Sequence, residues 1–270
     1  MNRPLRLGHI DLSFHAASAA VVQLVLERHG HQVEVSAAPH EEMFRRYGRA
    51  EVDILVSAWL PASHSTYLAP FELDTRKLTV LYEPYCLWGV PEFVSEAEVA
   101  SVTDLLKPAV LERMERRIQG INPGAGISRF SKAMIDAYDL RSAGYHFEPG
   151  TEAECLGAFE KAVAEERWVV IPLWSPQYLH HRYRIRALAE PKGLLGGTDA
   201  ATLIVRHDAE PLIAPAAIAE LEALHLGNAT VTALDHAIRV KGLSPADAAR
   251  KWQAGQADTA SSDDNARSQP

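Results

Sequence analysis

The sequence has only two cysteines, Cys86 and Cys155, among its 270 residues. Two thiols are too few for a disulfide scaffold and too few for a thiolate metal site. A single bridge remains an alternative, but we expect two buried free thiols. The fold must then rest on a hydrophobic core, for which a chain of this length has ample volume.

The sequence also lacks a basic surplus and long apolar runs. Lysine and arginine total 27 against 35 aspartates and glutamates, so the net charge is −8. Proteins that bind nucleic acids normally carry a basic surplus, and we therefore expect no nucleic-acid partner. No apolar run reaches the roughly 18 residues that a transmembrane helix needs.

The N-terminal segment has no apolar core of a secretory signal, because His9, Asp11 and His15 interrupt it. As written, the sequence predicts a cytoplasmic protein, or one whose leader was removed or lies outside the sequence. Residues 255–270 show no apolar periodicity, which predicts a disordered tail.

Common enzyme motifs are absent as well. The sequence contains no G-x-S-x-G, H-E-x-x-H, Walker loop or C-x-x-C. Twelve histidines are present, but none shows the spacing of metal ligands on one helix face. No pair of acidic residues stands out as a general acid and base. We therefore predict no catalytic residue, no metal and no cofactor.

The first 60 residues alternate between strand-like and helix-like segments. The strands are Leu5–Ile10, Gln32–Ser36 and Val52–Ser57, and the helices are Ala16–His29 and Glu41–Gly48. This order predicts an α/β fold with a parallel sheet. Since ligands of such sheets bind beyond the carboxyl ends of the strands, we expect residues 11–15 and 58–64 to lie near a ligand.

The rest of the chain continues the alternation. Helices are predicted at 127–138, 151–165, 215–225, 229–240 and 245–253, and strands at 118–121, 168–173 and 202–206. Thr151 and Glu154 have the spacing of a capping box. A break near residues 82–91 and a return near 196–203 are consistent with a clamp of two lobes.

The segment GINPGAGISRF is a glycine turn that leads into a helix. The free amides and the positive dipole end of a helix start favour a bound anion. Gly126 also lets a ligand approach the backbone, because it has no Cβ atom. We expect the amides of Gly126 and Ile127 to donate to a carboxylate, with an ordinary helix-starting turn as the alternative.

Two tryptophans, Trp59 and Trp174, each follow a predicted strand and precede a proline turn. Large aromatic side chains at such places suit the wall of a cleft. An indole face attracts cations that cannot donate hydrogen bonds, such as quaternary ammonium. Each tryptophan alone is more often a packing residue, but the matched pair predicts a cation site between two lobes.

Four segments in chain order resemble the glycine betaine/choline-type substrate-binding proteins of ABC importers. They are VDILVSAWLPASHSTYL, GINPGAGISRFSKAMIDAYDL, VVIPLWSPQYLHHRYRIRALAEPKG and GLSPADAARKW. The resemblance implies an α/β, type II periplasmic-binding-protein fold with two lobes and a ligand cleft between them. We assign residues 1–86 plus 203–254 to lobe 1 and residues 87–202 to lobe 2.

The resemblance also implies roles for single residues. Trp59 and Trp174 would wall an aromatic cage for a trimethylammonium group. His64 would help to bind the ligand carboxylate, together with the amides of Gly126 and Ile127.

Cages of this family usually have a third aromatic wall, near the first strand end or inside the glycine turn. Here the turn contains Ala125, so Phe14 is the candidate for the third wall. Ser13, His15 and Tyr178 would add polar groups that a pure trimethylammonium cage does not need.

The resemblance implies that the protein binds a small zwitterionic or quaternary-ammonium solute, such as glycine betaine, and delivers it to an ABC permease. It also implies a monomer in the periplasm or at the cell surface. Two alternatives remain: a cytosolic enzyme on the same fold, similar to chorismate dehydratase-type proteins, and a cytosolic ligand sensor. The missing leader favours the enzyme, and the missing acid/base pair opposes it.

Overall fold

The computed structural model describes residues 3–255. Within them the chain forms ten strands: β1 (Leu5–Ile10), β2 (Val33–Ala38), β3 (Ile54–Leu60), β4 (Thr75–Tyr82), β5 (Tyr85–Pro91), β6 (Arg117–Gln119), β7 (His146–Glu148), β8 (Ile171–Ser175), β9 (Ile185–Ala187) and β10 (Ala200–Arg206).

The α-helices of the same residues are α1 (Ser13–Arg28), α2 (His40–Gly48), α3 (Ser65–Leu68), α4 (Pro108–Leu111), α5 (Gly126–Ala137), α6 (Glu152–Ala164), α7 (Leu179–Arg182), α8 (Pro215–Ala223), α9 (Gly227–Arg239) and α10 (245–255). Short 3-10 helices occupy Ala69–Asp74, Val102–Leu106, Leu140–Ala143 and Glu210–Leu212. None of the helices in the described part of the chain combines the length and the apolar character that crossing a bilayer requires.

The largest sheet has five strands in the order β2-β1-β3-β10-β4. Strand β1 pairs in parallel with β2 and β3, which confirms the predicted parallel arrangement of the first three strands. Strand β10 runs antiparallel to both β3 and β4. The sheet is therefore mixed, because the chain returns to it in the opposite direction.

A second sheet contains β8, β5 and β9, and a two-stranded parallel sheet contains β6 and β7. The chain thus leaves the large sheet between β4 and β5 and re-enters it with β10. Residue 203, the first residue assigned to the second part of lobe 1, lies inside β10, so the strand bounds favour a crossing before Ala200, within the predicted return at 196–203. The division into two lobes stays a prediction.

Helix α1 positions Phe14 and His15, two of the predicted site residues. Ten of its 16 residues are buried, and it packs on β1, β3 and α9. A helix that is apolar on most of its faces is typical of such a buried position. Its first turn, with Phe14 and His15, therefore lies at the carboxyl end of β1.

Three boundaries differ from the sequence-based prediction in a way that bears on the site. Helix α1 begins at Ser13 instead of Ala16, and β3 and β8 extend to Leu60 and Ser175. Trp59 and Trp174 are consequently the next-to-last residues of their strands, and neither lies beyond its strand. A proline follows each strand end, where the missing N–H stops the ladder.

The predicted capping box is confirmed at the start of α6. The Thr151 hydroxyl accepts a hydrogen bond from the Glu154 amide at 3.2 Å, and the Glu154 carboxylate accepts from the Thr151 amide at 2.7 Å. Residue 255, the first of the predicted tail, is helical, and the remainder of that tail lies outside the described residues.

Candidate functional site

A cavity of about 300 Å³ is lined by residues from two sides. The carboxyl ends of β1 and β3 form one side, and the start of α5 and the end of β8 form the other. Seven of the nine predicted site residues line it: Phe14, His15, Trp59, His64, Gly126, Ile127 and Trp174. Their roles toward a ligand stay predictions, but the fold brings them around one space.

Three aromatic rings form the apolar part of the cavity wall. The ring centroid of Phe14 lies 5.5 Å from that of Trp59 and 5.9 Å from that of Trp174. All three side chains are buried. Phe14 thus lies close to both indoles, and its role as a third wall stays a prediction. The faces of such rings attract a desolvated cation.

Trp59 is held from two directions. Its indole N–H donates to the hydroxyl of Tyr82 at 3.1 Å, and its backbone N–H donates to Nδ1 of His64 at 2.9 Å. The second bond also fixes His64, because Nδ1 can accept only when the ring hydrogen of the neutral imidazole is on Nε2. His64 therefore offers an N–H donor to its surroundings.

The start of α5 forms the polar end of the cavity. No side chain caps this helix, so its first amides, including those of Gly126 and Ile127, remain free for a ligand. A Cβ atom on Gly126 would lie 2.7 Å from the Ser63 hydroxyl, which explains why glycine stands there. That hydroxyl is buried and has no partner among residues 3–255.

Arg129 ties the start of α5 to the segment after β3. Its guanidinium donates to the carbonyl of Gly124 at 2.6 Å and to the carbonyl of Ser63 at 2.5 Å. The Tyr67 hydroxyl donates to the same Gly124 carbonyl at 2.8 Å. These bonds join the elements on the two sides of the cavity. The Arg129 guanidinium also places a positive charge near the α5 amides.

The histidines of the cavity are kept neutral. Burial lowers the pKa of His15 and His64 well below its usual value, and neighbouring histidines lower it further. Burial, followed by the nearby Arg129 cation, lowers the pKa of His40 to about 4. Neutral imidazoles do not repel a ligand cation, so the cavity wall is compatible with quaternary ammonium.

Ser13 and Tyr178 do not line this cavity. The Ser13 hydroxyl donates to Asp235 of α9 at 2.5 Å, and the Tyr178 amide donates to the same carboxylate at 2.8 Å. Both residues therefore anchor to α9. Burial is the main cause that raises the pKa of Asp235 to about 6.

Sequence reasoning missed six residues of the wall: Leu12, His40, Ser63, Cys86, Ile121 and Ala125. His40 follows the carboxyl end of β2, so the rule that selected the segments after the first and third strands could have found it. Ser63 lies inside one of those selected segments. Leu12 lies in the other selected segment, and Ala125 lies in the glycine turn. For Cys86 and Ile121, the sequence carries no signal that separates a cavity wall from ordinary packing.

Nothing in the described part of the chain points to a metal centre, because no three His, Cys, Asp or Glu side chains there could hold an ion. Glu152 and Asp235, whose pKa values are raised, lie near Arg239 outside the aromatic cavity. The cavity itself offers rings, free amides, neutral imidazoles and a hydroxyl. This set of groups can bind a small molecule that has both a cationic and an anionic group.

The chain is also similar to known proteins that bind quaternary-ammonium solutes. The curated glycine betaine/carnitine transport binding protein GbuC of Listeria monocytogenes serotype 1/2a (strain 10403S) is 26% identical over 95 residues, which are 35% of this chain and 32% of that protein. The match thus spans about a third of the length of that relative.

Two solved structures resemble the fold over nearly the whole chain. Lactococcal OpuAC, in a closed form complexed with glycine betaine, has a TM-score of 0.83 at 25% identity and covers 95% of this chain and 97% of its own. The protein ProX from Borrelia burgdorferi has a TM-score of 0.81 at 20% identity and covers 92% of each chain. The predicted type II periplasmic-binding-protein fold is confirmed.

The family model for OpuAC, described as the substrate binding domain of ABC-type glycine betaine transport systems, matches residues 3–255. This range contains every strand, every helix and every wall residue described above. The chain therefore belongs to the family of substrate-binding domains of ABC-type glycine betaine transport systems.

Proposed function

We propose that the protein binds glycine betaine or a closely related quaternary-ammonium zwitterion and delivers it to an ABC permease. One observation carries the proposal: the rings of Phe14, Trp59 and Trp174 and the uncapped start of α5 line the same cavity. The cavity thus offers a place for a cation and a place for an anion a few ångströms apart.

The trimethylammonium group is the cation that suits the aromatic end. It carries a positive charge but no N–H, so it needs no hydrogen-bond acceptor, and the three rings provide none. Its methyl groups gain apolar burial, and its charge interacts with the ring faces. A primary ammonium would leave its N–H groups without partners there, which is costly in a buried site.

A carboxylate is the anion that suits the other end. The amides of Gly126 and Ile127, the Nε2–H group of His64 and the Ser63 hydroxyl can all donate to its oxygens. The dipole of α5 and the charge of Arg129 add a favourable potential. None of these donors needs to change its protonation state on binding, because the histidines are neutral near pH 7.

Ligand binding and closure are coupled in this proposal. The wall residues come from both sides of the cavity, and Arg129 joins the two sides through the Ser63 carbonyl. A ligand that contacts both sides stabilises the arrangement in which they meet, as in other hinged binding proteins. The closed form is the form that a permease can distinguish from the empty one.

The names of similar proteins support this assignment. The curated relative is a transport binding protein for glycine betaine and carnitine, and the lactococcal structure holds glycine betaine. By extension we propose that this protein is a monomer that acts on the outer side of the membrane beside its permease. The seven sequence-predicted residues that line the cavity remain the candidate ligand contacts. Ser13 and Tyr178 have a supporting place at α9.

Isothermal titration calorimetry with glycine betaine, proline betaine, carnitine and choline tests the proposal. We expect saturable binding of at least one of these ligands, and a rise in melting temperature with the same ligand, since it binds only the folded state. Glycine, which lacks the methyl groups, is the matched control and should not bind. No binding of any quaternary ligand, or equal binding of glycine, would contradict the proposal.

A further inference from the structure

Behind the aromatic cavity, four buried side chains form a continuous line of hydrogen bonds. The indole N–H of Trp59 lies 3.1 Å from the Tyr82 hydroxyl, which lies 2.9 Å from the Ser57 hydroxyl. The Ser57 hydroxyl in turn lies 2.6 Å from Nδ1 of His15. The line begins and ends at residues of the cavity wall, but Ser57 and Tyr82 do not line the cavity themselves.

The indole of Trp59 fixes which group donates in the first hydrogen bond of this line. An indole N–H can only donate, so the Tyr82 oxygen accepts from Trp59. The remaining distances are consistent with an arrangement in which the Tyr82 hydrogen points to Ser57 and the Ser57 hydrogen points to Nδ1 of His15. In this arrangement Nδ1 of neutral His15 accepts, so its ring hydrogen is on Nε2.

The backbone of Ser57 indicates why a serine stands at this point. Its φ is +58°, in the left-handed region that favours glycine. The pairing of β3 with β10 shifts here, so that Val56 and Ser57 together lie opposite Leu203 in a bulge. Bulges and strained residues often re-aim a side chain beside a functional site. Glycine would fit this backbone with less strain, but it has no side chain to connect His15 to Tyr82.

We infer that Ser57 and Tyr82 are positioning residues of the ligand site, which set the plane of the Trp59 indole and hold His15 with its N–H on Nε2. Among residues 3–255 this nitrogen has no protein partner, and His15 lines the cavity. His15 thus provides an N–H donor for an acceptor atom of the ligand, beside His64, whose ring centroid is 6.4 Å away. The part of this inference that concerns affinity rests on the proposed function.

Ser57→Gly separates positioning from folding. The change suits the positive φ, so the loss of two hydrogen bonds is offset by less backbone strain, and the protein should stay folded. We expect the affinity for glycine betaine to fall about tenfold, the usual effect of unmade hydrogen bonds in a buried site. Tyr82→Phe should give a similar loss, because it frees the Trp59 indole.

The double variant tests whether the two residues act through one line. If they do, Ser57→Gly combined with Tyr82→Phe binds no more weakly than the weaker single variant, within about twofold. Losses that multiply would overturn the inference. The matched control is Ser131→Ala, which removes the partner of the Trp88 indole (2.8 Å) away from the cavity. It should lower the melting temperature by about 3 °C and leave the affinity unchanged.

A measurement without ligand keeps this inference distinct from the proposed function. In ¹⁵N NMR spectra of the imidazoles, His15 should show its hydrogen on Nε2 in the wild type and a mixture of tautomers in Ser57→Gly. A wild-type His15 with its hydrogen on Nδ1 would overturn the inference even if glycine betaine binds. The expected tautomer together with no binding of any quaternary ligand would support the line and contradict the proposed function.

Discussion

The aromatic cavity and the larger cavity beside it share Leu12 and His40 in their walls but differ in almost every other respect. The first has a volume of about 300 Å³ and is lined by rings, small side chains and histidines. The second has about 1030 Å³ and is lined in part by Asp11, Glu152 and Arg239. Ser13 is another wall residue of the larger cavity. Its hydroxyl donates a hydrogen bond to the Asp235 carboxylate, which does not line that cavity.

Burial acts on the ionisable groups of both cavities, with opposite consequences. It lowers the pKa of the histidines around the aromatic cavity, so they are neutral near pH 7. It raises the pKa of Asp235 to about 6 and that of Glu152 to about 7. The aromatic cavity therefore contains no titrating group near pH 7, whereas the carboxyl groups between α6, α7 and α9 change charge in that range.

The comparison teaches how the protein can hold a zwitterion without adding ionic charges of its own at the point of contact. In the proposed site, rings and amides meet the charges of the ligand, and neither kind of group titrates. The titrating carboxyl groups lie where elements from the two predicted lobes touch. Changes of pH should thus act on stability and closure more than on the ligand contacts.

The largest expected effect comes from Asp235→Asn. Because the folded pKa of Asp235 is raised, its contribution to stability is complete below about pH 4 and is lost as pH rises through about 6. Relative to the variant, the wild type should lose about 3 kcal/mol of unfolding free energy over that interval. Urea denaturation of both proteins at pH 4, 5, 6 and 7 measures the difference, in which the opposite contribution of the histidines cancels.

Parallel stability curves for wild type and Asp235→Asn would show that this carboxyl group titrates normally and would remove the contrast between the two cavities. Glu34→Gln, on the exposed part of β2, provides the control, since Glu34 has no ion pair or side-chain hydrogen bond in the described structure. Its curve should follow the wild type at every pH.

Next in size is Trp174→Ala, which removes one wall of the cage. The affinity for glycine betaine should weaken by about 2 kcal/mol, because a desolvated cation–π contact and its apolar burial are lost. Calorimetric titration of the variant measures this change. Trp252→Ala, on α10 and outside the cavity, should bind like the wild type, and an unchanged affinity for Trp174→Ala would show that the rings do not form the cation site.

A smaller effect is expected from Gly126→Ala. The added Cβ atom would meet the Ser63 hydroxyl at 2.7 Å and would disturb the start of α5. We expect an affinity loss of about 1 kcal/mol, measured by the same titration. Gly157→Ala is the control, because nothing lies within 4 Å of a Cβ atom there. No loss in Gly126→Ala would argue against the anion site.

Local sequence signals predicted the frame of the fold well. The bounds of β1 and the capping box of α6 follow from short-range patterns and agree with the structure. Strands β4 and β5 were not predicted: residues 82–91, which contain β5, were interpreted only as a break between lobes, and no element was assigned to residues 75–81. Their identity depends on pairing with β10 and β8, which are distant in sequence.

The site shows the same limit. Trp59, Trp174 and the glycine turn carry local signals, and the structure brings them together. Ser13, Phe14 and His15 are consecutive, but a helix turns by about 100° per residue, so they cannot all face one cavity. The structure directs Phe14 and His15 to the rings and Ser13 to Asp235, a partner 222 residues away. No local pattern could have shown that pairing.

The most direct test of the central claim compares glycine betaine with 3,3-dimethylbutyrate, which has the same shape but carries carbon in place of the charged nitrogen. Both ligands can fill the space between the rings and reach the α5 amides, and only glycine betaine carries a positive charge. Titration of the wild type with each should show glycine betaine binding about 30-fold more tightly, as expected for a desolvated cation between aromatic faces. Equal affinities would mean that the rings of Phe14, Trp59 and Trp174 select an apolar shape, and the account of a cation cage would be wrong.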